Sequence, residues 1–129
     1  MIALLDTNAY TALMRGEESI LDALTQAHQI LMSCVVVGEL EYGFCHGLRY
    51  DDNRARLEEW LAEPYVDFLT LTRDTTIRYG AISADLRGTG QKIPTNDAWI
   101  AAHATEHRAT VWTRDRHFDR IAGVQVRGW

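Results

Sequence analysis

The sequence has 129 residues, of which 47% are hydrophobic and 24% charged, and its formal net charge is −5. That is the length of one ordinary domain with enough apolar residues for a core, which excludes a disordered chain; no apolar run approaches the roughly 20 residues of a membrane span. The acidic balance argues against loose nucleic-acid binding over the whole surface, yet it suits an acidic pocket neutralised by metal ions.

Ile2 to Leu5 is a short apolar run ending at Asp6, the pattern of a buried strand. It lacks the basic flank of a signal peptide, so the expected location is the cytoplasm, with no membrane partner. A helix follows through Tyr10, Leu13 and Met14, capped by Asp6, Thr7 or Asn8 and closed by Gly16. Glu17 to His28 places Ile20, Leu21 and Leu24 at a helical period. Ile30 to Val37 is rich in branched residues and predicts the second strand. Gly38-Glu39 then opens a helix with Leu40, Phe44 and Leu48 on one face. Asp51-Asp52-Asn53 caps the next helix, through Leu57, Trp60 and Leu61, which Pro64 ends. Val66 to Leu71 is the third strand. Thr72 to Leu86 is a helix with Ile77, Ala81 and Ile82 inward. Pro94-Thr95-Asn96-Asp97 starts another, with Ile100, Ala101 and Ala104 on one face. Ala109 to Thr113 is a fourth strand and Val124 to Val126 a short fifth.

Strands alternating with helices imply βαβ units: a three-layer α/β/α domain over residues 1–129, with a central, mainly parallel sheet of four to five strands. Neither Cys34 nor Cys45 has metal-type or redox-type spacing, and both read as buried thiols.

Ligands of open α/β sheets bind beyond the carboxyl ends of the strands. Asp6 ends strand one, Glu39 follows strand two, and Thr113, Arg114 and Asp115 follow strand four. Asp97 sits in the first turn of a helix that can point the same way. Taken singly, Asp6 and Asp115 read as helix caps, Glu39 as a first-turn acid offsetting the macrodipole, and Asp97 as half of a capping arrangement. Taken jointly, four carboxylates from four distant stretches fall at one end of the sheet, and the only lysine, Lys92, is not beside them. Acids packed in this way repel and raise one another's pKa; Mg²⁺ or Mn²⁺ relieves the repulsion. Such a site activates water and stabilises charge on a phosphodiester.

Other chemistries fit less well. His103 and His107, four residues apart, have zinc-like spacing without a third partner and read as a solvated helix face. A haloacid-dehalogenase-type phosphatase needs an acid where Asn8 stands. A response-regulator receiver needs an Asp after strand three, where Thr70-Leu71-Thr72 lies. A dinucleotide binder needs glycines that DTNAYTA does not have.

The stretches LLDTN, VVVGELEYG, IPTNDAWIAAHA and TRDRHFDRI, in this order and spacing, resemble a PIN domain, and within that family a VapC-type toxin of a bacterial toxin–antitoxin pair. The resemblance spans essentially the whole chain. It implies an endoribonuclease with catalytic and metal-binding acids Asp6, Glu39, Asp97 and Asp115, helped by Asn8 and Thr113, with Mg²⁺ or Mn²⁺ as cofactor. It implies cleavage of structured RNA of the tRNA or rRNA class, a VapB-type antitoxin whose arm covers the groove, and a homodimer. Arg114 and Arg116 flank Asp115 and are candidates for RNA phosphate contact or plain surface arginines. Tyr10, Leu13, Met14, Leu40, Phe44 and Leu48 are either core or the wall of an antitoxin groove. Many relatives carry a further Asp where this chain has His117, which leaves the last carboxylate to Asp115; Asp119 lies past Phe118. Two alternatives stay open: a PIN-like RNA-binding module without catalysis, and a free-standing RNA-processing nuclease.

Overall fold

The computed structural model describes residues 1–129. Five strands form one parallel sheet: β1 (Ile2–Leu5), β2 (Gln29–Ser33), β3 (Val66–Leu69), β4 (Thr110–Trp112) and β5 (Gln125–Arg127), in spatial order β3-β2-β1-β4-β5. Six helices join them: α1 (Thr7–Met14), α2 (Glu18–Leu24), α3 (Cys34–Cys45), α4 (Tyr50–Leu61), α5 (Arg73–Gly88) and α6 (Thr95–His107). A 3₁₀ turn, Arg116–Arg120, lies between β4 and β5. The architecture is the expected three-layer α/β/α.

Central strand β1 explains why the layers are three. Ala3, Leu4 and Leu5 are fully buried, so both faces of the strand are covered. Leu4 stands between Leu31 of β2 and Val111 of β4 in register. Because β2 and β3 are laid to one side of β1 and β4 and β5 to the other, the chain reverses its strand order between β1 and β4. That reversal leaves a crevice at the carboxyl ends of the two strands. No helix is long and apolar enough to cross a membrane.

Several expectations need correcting. The second strand stops at Ser33, not Val37: the Ser33 side chain accepts the Val35 N–H and caps α3, overriding the strand preference of Val35-Val36-Val37. Glu39 therefore lies in the second turn of α3, and the macrodipole reading does not apply. Helix α3 ends at Cys45, leaving Leu48 fully exposed beyond it. Ile77 and Ala81 face solvent while Ile82 is buried, because only one edge of α5 meets α6. Cys45 is exposed and Cys34 half-buried. Gly16 closes α1 with φ +73°, a conformation that favours glycine.

His103 is the largest departure. It is wholly buried, not on a solvated face. Its Nε2 lies 3.1 Å from the Thr70 carbonyl oxygen, so Nε2 carries the proton and donates; Nδ1, 2.9 Å from Ser33 Oγ, accepts. Burial lowers its pKa, which agrees with a neutral ring. The bond to Ser33 ties α6, which carries Asp97, to the cap of α3, which carries Glu39, and the bond to Thr70 ties it to the segment after β3.

Candidate active site

Asp6 is the N-cap of α1: its Oδ1 accepts the Ala9 N–H at 2.7 Å, and the residue is only 6% exposed. Asp115 is likewise the cap of the 3₁₀ turn, accepting the His117 N–H at 2.9 Å. The capping readings of both residues are thus correct and do not compete with a site. A cap fixes the carboxylate at the crevice. Asp97 enters from the first turn of α6. Glu39, from α3, accepts the Thr7 hydroxyl at 3.1 Å.

Asp97, Asp115 and His117 bring ligand-type atoms within 4.8 Å of one another. Nδ1 of His117 is 3.0 Å from Asp115 Oδ1 and 3.2 Å from Asp97 Oδ2. Asp6 and Glu39 stand further out but within electrostatic reach. Burial pushes the Asp6 carboxyl above the ordinary 3.8; Thr113 and the Ala9 N–H favour its charge, and Asp115 and Glu39 oppose it. Burial also raises Asp97, with the Asp115 charge next; His117 works against them, and Glu39 adds to the rise. No arginine or lysine pairs with any of the four acids, and the His117 ring is the nearest basic group to Asp97 and Asp115. The donor set of carboxylate oxygens at a crevice, short of positive charge, fits a divalent cation.

The flanking residues divide. Thr113 is buried beside Asp6 and accepts the Asp115 N–H at 2.9 Å, so it braces both acids. Asn8 is exposed in the first turn of α1. Arg114 turns away: it donates to the Trp129 carbonyl oxygen at 2.8 Å and lies over the Trp129 ring. Arg116 is exposed and uncommitted, and Asp119 is exposed outside the cluster. A cleft of about 720 Å³ adjoins the acids, lined by Thr7, Glu39, Tyr42, Asn96 and Trp99 among others. Trp99 is held by stacking on Tyr79 with centroids 3.8 Å apart. Of the apolar set at helical spacing, Tyr10 and Leu40 are buried in the core and form the floor of a second, smaller groove between α1, α3 and α4 that Met14 and Phe44 also line.

Two side chains that touch the acids carry little signal in the sequence. Thr7 reads there only as a possible cap, and its bond to Glu39 spans 32 residues. His117 reads only as a departure from the family pattern, and its closeness in sequence to Asp115 is the one signal it gives.

A family model for the PIN domain matches residues 3–124. The chain belongs to the PIN domain family. Among PIN relatives, Ribonuclease VapC2 of Rickettsia felis is 29% identical over 134 aligned residues, covering 100% of this chain and 98% of that protein. Plasmid stability protein StbB of Pseudomonas syringae pv. tomato is 34% identical over 131, covering 95% and 94%. Among solved PIN structures, VapBC2 from Rickettsia felis bound to a DNA fragment from their promoter superposes with TM-score 0.87 at 28% identity, over 100% of this chain and 99% of that one. VapBC-1 from nontypeable Haemophilus influenzae gives 0.88 at 28%, over 100% and 98%.

The raised pKa values have a measurable consequence in metal-free PIN protein. Between the ordinary 3.8 and its raised folded value, Asp97 holds a proton when folded that it has lost when unfolded. The folded state binds more protons there, so stability falls as pH rises through that window and is level above it. Unfolding in EDTA, from about pH 4.5 to about pH 8, should show wild type losing stability relative to Asp97→Asn as pH increases. Parallel curves for the two proteins would contradict the raised value.

Proposed function

We propose that this chain is a metal-dependent endoribonuclease acting in the cytoplasm as the toxin of a VapBC-type pair, cutting structured RNA of the tRNA or rRNA class to stop translation and growth. The observation that carries this reading is the gathering of Asp6, Glu39, Asp97 and Asp115 at the β1–β4 crevice without a compensating arginine or lysine. An RNA-binding module without catalysis has no use for four acids gathered at one crevice, where burial and then neighbouring carboxylates hold Asp6 and Asp97 above the ordinary carboxyl range. Whole-length similarity to ribonucleases named VapC, and to solved VapBC complexes, supports the toxin role over a free-standing processing nuclease.

Asp97 and Asp115 would hold Mg²⁺ or Mn²⁺, with Asp6 and Glu39 completing the negative pocket. The cation supplies activation of water and neutralisation of phosphodiester charge. The chain's own residues do the positioning. The Ala9 N–H and Thr113 fix Asp6, the Thr7 hydroxyl fixes Glu39, and the backbone of the 3₁₀ turn fixes Asp115. Arg116, which is exposed and makes no ion pair, would hold a phosphate of the RNA. The groove beside Met14 and Phe44 is the surface for a VapB-type antitoxin, and the active species is a homodimer.

Expression of the chain alone should arrest growth of a bacterial host, and co-expression with its antitoxin, encoded by a small adjacent reading frame, should relieve the arrest. Unimpeded growth with folded, active protein in the cell would contradict the toxin role while leaving the nuclease reading intact.

A further inference from the structure

The acids of this site do not stand alone: an imidazole is seated among them. His117 lies in the turn capped by Asp115, and one nitrogen, Nδ1, faces both Asp115 Oδ1 at 3.0 Å and Asp97 Oδ2 at 3.2 Å. Its backbone N–H donates to the same Asp115 oxygen at 2.9 Å, so the cap holds the His117 backbone against Asp115. Metal–ligand bonds of about 2.1 Å put neighbouring ligands of an octahedral ion about 3 Å apart, which is close to the spacing of Nδ1 from each of the two carboxylates. A ring whose Nδ1 bonds Asp97 and lies against Asp115 is therefore already where it would sit beside them around one cation. With its proton on Nε2, Nδ1 presents a lone pair in the same direction.

We propose that His117 is a direct ligand of the cation, through Nδ1, and that it tilts the site toward Mn²⁺ over Mg²⁺. This rests on the metal-nuclease reading above. Carboxylate and water oxygens suit Mg²⁺ and Mn²⁺ alike, whereas an imidazole nitrogen is a poor partner for Mg²⁺ and a good one for transition metals. An oxygen ligand at this position would remove the discrimination. His117 is thus a specificity-determining residue for the cofactor, and substitution there changes which ion the site takes.

Mn²⁺ serves as its own probe. Pulsed electron paramagnetic resonance of the purified protein with one equivalent of Mn²⁺ should show ¹⁴N coupling from a directly bound imidazole, and His117→Ala should abolish it. Titrations of Mn²⁺ and Mg²⁺ should show that His117→Asp lowers the ratio of Mn²⁺ to Mg²⁺ affinity by at least about tenfold, since losing even an outer partner of a metal site costs roughly 10–100-fold. Tight Mn²⁺ binding without ¹⁴N coupling, or coupling that survives His117→Ala, overturns the proposal and spares the nuclease. Absence of any Mn²⁺ binding by the folded wild-type protein overturns both.

Discussion

Asp97→Asn is expected to reduce RNA cleavage on the order of a thousandfold, the rate equivalent of roughly 4 kcal/mol, while the protein stays folded. The two effects separate because the carboxylate contributes charge and little packing. Asp97 is half-buried at the mouth of α6, and its neighbours Ala98, Ile100 and Ala101 hold the helix on the sheet without it. In EDTA the variant should unfold at the same temperature as wild type or higher, because burial and the Asp115 charge oppose the ionised form in the native state. With Mn²⁺ the order reverses. A ligand at a hundred times its Kd stabilises the native state by about 2.7 kcal/mol, and the variant forfeits most of that increment. Thermal unfolding of both proteins with Mn²⁺ and with EDTA reads all of this. A variant that keeps the full Mn²⁺-dependent rise would remove Asp97 from the metal site.

Phe118→Ala should have the largest effect on stability among residues near the site. Phe118 is 1% exposed, belongs to the main core cluster and anchors the 3₁₀ turn from below. Truncating such a ring leaves a cavity and costs about 3–5 kcal/mol, a large share of the roughly 5–15 kcal/mol that holds a domain folded. A fall in Tm on the order of 10 °C or more is expected. Because Asp115 and His117 ride on the same turn, affinity for Mn²⁺ should fall as well, although neither proposed ligand is altered. Phe118→Leu refills most of the volume and should recover most of both losses. Denaturant unfolding and Mn²⁺ titration of the two variants check the coupling; a Phe118→Ala protein with native stability and weakened Mn²⁺ binding would show that the ring acts on the site by another route.

The parts of the molecule legible in its sequence are those set by local pattern and by chain order. The β1 run ending at Asp6, the break at Gly16 and the start of α6 after Pro94 each carry their own signal. The alternation of strands and helices suffices to place the strand ends, and hence the acids, on one edge. What was hidden depends on contacts between distant segments. The branched run Val35 to Val37 looks like strand, and only the Ser33 hydroxyl on the Val35 N–H makes it helix. His103 and His107 share a helical spacing, yet one is buried against Ser33 and Thr70, contacts 70 and 33 residues away. Arg114 and Arg116 look equivalent beside Asp115, and the ring and carbonyl of Trp129 take one of them. The seating of His117 belongs to the same class, because its ring meets Asp97 across 20 residues of sequence.

The most direct test of the account is incubation of total cellular RNA with purified, antitoxin-free protein in Mg²⁺, in Mn²⁺ and in EDTA, with Asp97→Asn alongside. Discrete fragments that form with either cation, and disappear both in EDTA and with the variant, are the expected result. Intact RNA under every condition, from protein shown to be folded and to bind Mn²⁺, would contradict the nuclease and return the fold to an RNA-binding role.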